Sequence, residues 1–266
     1  MPRFGEQRLV RADVSAAHRL HFRMFGVADP AHFVHHRWMR RELAEERVRD
    51  PRRILDAGCG TGDHSFYLAR RFPEAHVLGV DIDRQRIERN RDTAGRLGMR
   101  NIQFEVADLE RFDEREAFDL VVSIDVLEHI AGQAQAMANL AAALRPGGLA
   151  LFHIPCERPR PAPFSRFLQD FHEWGEREHV ADELSAEVFA QRVADSGLTV
   201  VRTRRTFGYF TGELATSLFA IPYRNTALNR ALQLAVSVPC RGLALLDSLE
   251  LDATRYAVGV TARRPR

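Results

Sequence analysis

The chain has 266 residues, of which 45% are hydrophobic and 28% charged, which suits a soluble globular protein with one large domain. A formal net charge of +2 argues against a dedicated nucleic-acid-binding protein. Three widely spaced cysteines exclude a dense disulfide framework, and no apolar run is long enough for a signal peptide or a membrane span, so we expect a cytoplasmic protein.

The first 50 residues are rich in arginine and differ in pattern from the rest of the chain. Apolar residues recur at helical spacing between residues 31 and 48, which predicts one amphipathic helix there. We interpret residues 1–50 as an N-terminal helical lid and residues 51–266 as the main domain.

A glycine-rich loop follows the first predicted strand, which covers residues 53–56. The sequence from residue 54 reads ILDAGCGTG, with glycine at positions 58, 60 and 62. Because glycine lacks a Cβ atom, this backbone can approach a flat or charged ligand, and a helix at 65–72, capped by residues 63–65, offers free N–H groups behind it. Nicotinamide-dependent oxidoreductases place the third glycine one position later, where Asp63 would repel a pyrophosphate.

Strands and helices alternate over the next hundred residues. Further strands are predicted at 75–81, 101–107, 118–124 and 149–154, and helices at 83–97 and 128–144, with a turn at 145–148. This alternation indicates parallel strands joined by right-handed helical crossovers, so helices should cover both faces of one sheet. Ligands of such sheets bind at the carboxyl ends of the strands.

The pattern changes after residue 155. Residues 155–163 are rich in proline and arginine, and we interpret 155–182 as a lid loop over an acceptor site. A helix at 185–196, a sixth strand at 198–207 and a last strand at 254–262 complete the predicted sheet.

The stretch 208–252 is too long for a hairpin loop and carries helical patterns at 227–238 and 243–249, which predicts a helical insertion before the last strand. Its apolar stripes and flanking arginines leave three interpretations open: a cap over a pocket, a dimer surface, or peripheral membrane contact through 224–251.

Two acidic residues follow neighbouring strands. Asp81 ends the second strand and Asp108 follows the third. A carboxylate facing the glycine loop offers the acceptor pair that a ribose cis-diol needs, and Asp108 can accept the exocyclic amine of adenine while Leu109 covers the ring. The alternative is that both are exposed aspartates at strand ends.

In order and spacing, these features resemble the motifs of the class I S-adenosylmethionine-dependent methyltransferases over residues 52–155. The resemblance implies a Rossmann-like, doubly wound α/β sheet of seven strands in the order 3-2-1-4-5-7-6, with strand seven antiparallel. It implies S-adenosylmethionine as the cofactor, in contact with Asp56, Gly58, Cys59, Gly60, Gly62, Asp81, Ile82, Asp108, Leu109, Ser123, Ile124 and Asp125. The segment FDLVV at 118–122 with Leu127-Glu-His129 is similar to the subgroup that acts on small molecules.

Methyl transfer from a sulfonium mainly requires alignment of the acceptor, but a hydroxyl acceptor must also lose a proton, which suits a histidine near pH 7. His129 lies nearest the expected methyl position, although it could instead be a hydrogen-bonding residue at a helix start. His179, in the predicted lid loop, is preferred over His172 as a second candidate, and His153 is interpreted as a packed strand residue.

A magnesium site is a further possibility, because a helix at this position would place Asp125, Glu128 and His129 on one face. We favour helix capping by these residues and predict no metal.

The sequence thus predicts a methyltransferase that acts on a small-molecule hydroxyl and binds no nucleic acid. A non-catalytic cofactor-binding scaffold, or methylation of a lipid-linked acceptor at a membrane surface, remain alternatives, and the oligomeric state stays open, a dimer included.

Overall fold

Seven strands form one sheet at the centre of the computed structural model. They are β1 (Arg53–Ala57), β2 (His76–Asp81), β3 (Ile102–Val106), β4 (Phe118–Ile124), β5 (Leu144–Pro155), β6 (Thr199–Thr206) and β7 (Ala257–Arg263). Their order is β3-β2-β1-β4-β5-β7-β6, and β7 runs antiparallel to both of its neighbours while β1 to β5 are parallel. The predicted order and antiparallel last strand are confirmed.

The structure describes residues 2–27, 29–156, 184–208, 235, 237–239, 242 and 257–266. Most of the predicted lid loop at 155–182 and of the insertion at 208–252 lies outside these residues, as do His172 and His179. In the insertion, Ser237 Oγ lies 2.6 Å from His21 Nε2. No helix in the described residues has the length and hydropathy to cross a bilayer.

Six helices whose bounds are described and three 3-10 turns accompany the sheet, and residues 235, 237–239 and 242 are helical as well. The helices are α1 (Ala16–Phe25), α2 (Pro30–Glu45), α3 (Asp63–Arg71), α4 (Arg84–Arg96), α5 (Gln133–Ala143) and α6 (Ala186–Asp195), and the 3-10 turns are Glu6–Leu9, Leu109–Arg111 and Leu127–His129. α1 and the first turn were not predicted. The other helices match the predicted ones, except that the one predicted at 128–144 starts late.

The start of that helix was wrong because the chain forms a 3-10 turn at Leu127–His129 and then extends before Gly132 caps α5. The predicted turn at 145–148 was also wrong. These residues belong to β5, where the pairing with β4 jumps from Phe118–Leu144 to Leu120–Leu149 and produces a bulge. The bulge accommodates Gly147, whose φ is +79°.

Buried apolar side chains cover both faces of the sheet. One face packs against α5 and α6 through Leu55, Val121, Phe152, Met137, Leu140 and Phe189. The other packs against α2, α3 and α4 through Ile54, Leu120, Leu151, Trp38, Leu68 and Ile87.

Helix α2 packs directly on the antiparallel end of the sheet. A Cβ atom on Gly259 would lie 2.2 Å from the Trp38 ring, so only glycine allows this approach. Beside it, the buried Glu42 accepts hydrogen bonds from Arg202, Arg204 and Thr261, each at 2.8 Å. The role of residues 1–50 as a lid stays a prediction.

Candidate functional site

The glycine loop is held between the ends of β2 and β4. The N–H groups of Gly58 and Cys59 both donate to the carbonyl of Val80 at 2.8 Å. Gly58 has a φ of +75°, and a Cβ atom there would lie 2.3 Å from the side chain of Val126. Position 58 therefore requires glycine for both conformation and space.

Asp81 fixes the second half of the loop. Its Oδ2 accepts the N–H of Gly60 at 2.8 Å, and its Oδ1 accepts the N–H of Asp83 at 2.9 Å. A carboxylate offers about four lone-pair positions, so acceptor capacity remains on both oxygens. The adjacent Ile82 is 74% exposed, which is unusual for so large an apolar side chain.

A cavity of about 700 Å³ opens at the carboxyl ends of β1 to β4. Its wall contains seven of the predicted site residues, namely Gly58, Asp81, Ile82, Asp108, Leu109, Asp125 and His129. Sequence reasoning missed the other lining residues, namely Asp83, Arg86, Ala107, Glu110, Val126, Ile130 and Ala131. These come from helix starts and turns, where only the folded chain shows which side chains face the opening.

Six other predicted cofactor residues are not part of this wall: Asp56, Cys59, Gly60, Gly62, Ser123 and Ile124. Asp56 is buried and accepts a hydrogen bond from the Ser65 hydroxyl. Burial raises the pKa of Asp56 to about 7, which this hydrogen bond only partly offsets. Asp56 thus supports the loop from beneath.

The predicted cap of α3 was wrong. Gly62, with a φ of +75°, is the N-cap, and Asp63 is already the first helical residue. Asp63 is buried and accepts hydrogen bonds from Gln7 and Arg8. Burial alone would raise the pKa of Asp63, but the adjacent Arg8 guanidinium outweighs burial and holds it below its ordinary value.

Glu128 and His129 lie on the 3-10 turn at the other side of the cavity. Glu128 is buried, and burial together with the nearby charge of Asp125 raises its pKa well above the ordinary value. His129 is 42% exposed toward the cavity, with its Nε2 3.9 Å from Glu128 Oε1. The magnesium site considered from the sequence required Asp125, Glu128 and His129 to lie on one face of a single helix. The three residues do not share a helix, so the geometry assumed for that site is not present.

Asp125 instead lies between two histidines. His153 Nδ1 is 2.8 Å from Asp125 Oδ1, and His35 Nε2 is 3.0 Å from Asp125 Oδ2. Burial alone would raise the pKa of Asp125, but the two imidazoles lower it well below its ordinary value. Burial lowers the pKa of His153, which is packed in β5 as its sequence position indicated.

His35 was missed by sequence reasoning. The only signal for it was the spacing of His32, His35 and His36, which places three imidazoles along one face of α2. Which strand that face meets depends on how α2 packs against the sheet, and no local pattern encodes this.

Comparison with known proteins gives three kinds of similarity. Residues 49–196 match the family model described as a methyltransferase domain. The chain is 33% identical over 158 residues to a trans-aconitate 2-methyltransferase of Streptomyces coelicolor, covering 56% of this chain and 52% of that protein.

Solved structures share the fold. A putative sarcosine dimethylglycine methyltransferase from Galdieria sulphuraria superposes with a TM-score of 0.63, at 16% identity, over 94% of this chain and 99% of that one. Phosphoethanolamine N-methyltransferase 2 of Haemonchus contortus, in complex with S-adenosyl-L-methionine, gives a TM-score of 0.64 at 18% identity, over 100% of this chain and 61% of that one. The chain spans about half the length of the trans-aconitate methyltransferase it matches.

Proposed function

Since the chain belongs to the class I S-adenosylmethionine-dependent methyltransferase family, we propose that it transfers the methyl group of S-adenosylmethionine to a small molecule. The observation that carries this proposal is the cavity of about 700 Å³ at the carboxyl ends of β1 to β4. Its wall combines a glycine backbone with Asp81, Ile82, Asp108 and Leu109, the residues that the resemblance assigns to the adenosyl group.

The residues present fit this cofactor. Asp81 is held by two backbone N–H groups and keeps acceptor capacity for the ribose hydroxyls. The exposed Ile82 and the buried Leu109 offer apolar surface to an adenine ring, and Gly58 contributes to the same cavity wall. Asp108 accepts the N–H of Glu110 at 2.9 Å and retains an oxygen for the adenine amine.

The acceptor side is assigned to the region around His129. When bound, the cofactor supplies a methyl group already activated by its positive sulfur, so the protein's main task is alignment. His129, on the cavity wall, would accept the proton of a hydroxyl acceptor, a contribution of about 10²–10⁴-fold for general-base catalysis. His179 remains a second candidate outside the described residues.

The acceptor itself is proposed only as a class. Named relatives include a trans-aconitate 2-methyltransferase and a phosphoethanolamine N-methyltransferase, both of which act on small polar molecules by their names. We favour an oxygen acceptor on a small polar molecule, because an imidazole on the cavity wall suits deprotonation of a hydroxyl. The scaffold and lipid-linked alternatives keep the same cofactor site. They differ in whether the bound methyl group is transferred at all, and in whether its acceptor is carried by a lipid.

Calorimetry tests the cofactor assignment. S-adenosylhomocysteine should bind and NADH should not. Asp81→Asn should weaken S-adenosylhomocysteine binding by about 1.5–3 kcal/mol, because hydrogen bonds to a charged acceptor are lost. His129→Asn should leave that affinity unchanged and lower turnover of radiolabelled S-adenosylmethionine with a panel of small hydroxyl compounds.

Binding of NADH, or equal S-adenosylhomocysteine affinity in the wild type and Asp81→Asn, would contradict the proposed site. Tight cofactor binding without transfer to any acceptor would favour the scaffold alternative. Transfer only to acceptors presented in lipid vesicles would favour the lipid-linked one. Thermal melting of each free variant separates loss of binding from loss of folding.

A further inference from the structure

We propose that His35, Asp125 and His153 form a binding site for one divalent transition-metal ion. The three side chains come from different parts of the fold: α2, the residue after β4, and β5. This goes beyond the proposed methyl transfer and does not depend on it, because the donors lie behind the cofactor cavity and share only Asp125 with its wall.

The first argument is distance. One donor atom from each of the three residues lies within 4.8 Å of the other two. The nitrogen–oxygen separations of 2.8 and 3.0 Å bring both rings to the same carboxylate, one ring at each of its two oxygens. Within the described residues, this is the one group of three such side chains that meets that distance condition.

The second argument is the unpartnered nitrogen of His35. This side chain is only 6% exposed, and its Nε2 has no aligned hydrogen-bond partner even though Asp125 Oδ2 is 3.0 Å away. A plain His–Asp–His hydrogen-bonded group would direct both N–H bonds at the carboxylate. A buried ring nitrogen this close to a carboxylate oxygen, without a hydrogen bond of good geometry between them, fits a site in which both atoms bind one cation.

The third argument is how the donors are held. His153 Nε2 lies 2.8 Å from the Thr206 hydroxyl, an outer contact of the type that fixes the tautomer and ring orientation of metal-bound histidines. Asp125 has a φ of +52°, a conformation that few non-glycine residues adopt, and its carboxylate lies between the two rings.

The donor set selects the kind of ion. Two imidazoles and one carboxylate suit Zn²⁺, Co²⁺, Fe²⁺ or Ni²⁺, whereas Mg²⁺ prefers oxygen ligands and retained waters. Three protein donors also leave at least one coordination position for water or another ligand. Asp125 is 37% exposed and faces the cavity, so the ion would lie at the border between α2 and the cofactor site.

The test is metal titration of the full chain after dialysis against a chelator. Co²⁺ should bind with a stoichiometry of one per chain and give visible ligand-field absorption, Zn²⁺ should displace it, and millimolar Mg²⁺ should not. His35→Asn and Asp125→Asn should each abolish stoichiometric binding. Thr206→Val, which removes only the outer contact, should weaken binding by about 10–100-fold.

His36→Asn is the matched control, since it removes the neighbouring imidazole of the same helix and should leave Co²⁺ affinity unchanged. Failure of the wild type to take up Co²⁺ or Zn²⁺, or retention of binding in both His35→Asn and Asp125→Asn, would overturn the proposal. Circular dichroism confirms that each variant is folded. Calorimetry with S-adenosylhomocysteine on the same samples reports the cofactor site separately, so either proposal can fail alone.

Discussion

Burial of the His36 side chain makes the stability of the fold depend on pH. Its ring stacks on Phe4 with centroids 4.0 Å apart and meets the edge of Tyr67. Burial, with a smaller contribution from the charge of Arg40, lowers the pKa of His36 to about 3. In the unfolded chain His36 is protonated once the pH falls below about 6.5, whereas in the folded chain it stays neutral until a much lower pH. The free energy of unfolding therefore decreases as the pH falls below about 6.5.

We predict that His36→Phe flattens the pH dependence of stability. Phenylalanine keeps the stacking on Phe4 and cannot titrate, so the loss of unfolding free energy between pH 7 and pH 5 should shrink by about 2 kcal/mol. Urea denaturation at both pH values measures this difference. His76→Gln, at an exposed position in β2, is the control and should leave the difference as in the wild type. An unchanged difference in His36→Phe would refute the burial argument.

At the residue level, Asp81 and Asp108 could be placed from the sequence, and His35 could not. The two aspartates end neighbouring parallel strands, and such ends meet at one edge of the sheet. Asp56 shows the limit of that reasoning, because its strand-end position is right while its side chain is turned beneath the loop toward Ser65. Strand position fixes where a residue lies, and side-chain direction depends on packing.

At the level of elements, the strands were predictable because those buried on both faces form continuous apolar runs, as β4 does. The late start of α5 was not, since Glu128 and His129 have acceptable helix propensity and only tertiary packing of the 3-10 turn decides against a helix. The β5 bulge was mistaken for a turn because proline and glycine serve both structures.

The attachment of α2 to the sheet depends on a buried carboxylate. Glu42 is fully buried and accepts hydrogen bonds from Arg202 and Arg204, both on β6, and from Thr261 on β7. Glu42→Gln would leave two guanidinium groups without their buried counter-charge, so we predict a loss of about 3 kcal/mol in unfolding free energy. Denaturant unfolding measures it.

Glu45 provides the matched control for that prediction. It pairs with the same two arginines but is 34% exposed, so solvent screens it and Glu45→Gln should cost less than about 1 kcal/mol. If Glu42→Gln and Glu45→Gln lower the unfolding free energy equally, burial of Glu42 does not increase its contribution to the attachment of α2.

For the molecule as a whole, the N-terminal region contacts both margins of the cavity. An N-terminal arm, residues 2–13, reaches the start of α3, where Arg8 pairs with Asp63 and Arg11 donates to the carbonyl of Thr61 at 3.1 Å. At the other margin, α2 brings His35 to Asp125. The family match begins at residue 49, so these contacts belong to a part of the chain that the shared domain does not specify.

The arm should therefore be coupled to the glycine loop. Asp63 is buried and Arg8 is its main counter-charge, so Arg8→Gln should free the arm, at a cost of about 3 kcal/mol. Hydrogen–deuterium exchange should then show faster exchange for amides of residues 4–11 and the first turn of α3, while β4 and β5 stay protected.

Glu6→Gln is the control. It removes a 45% exposed partner of Arg70 and should change exchange little, because solvent already screens that pair. If both variants exchange alike, the Arg8–Asp63 pair does not hold the arm. If Arg8→Gln also weakens S-adenosylhomocysteine binding while Glu6→Gln does not, the arm supports the conformation of the loop that binds the cofactor.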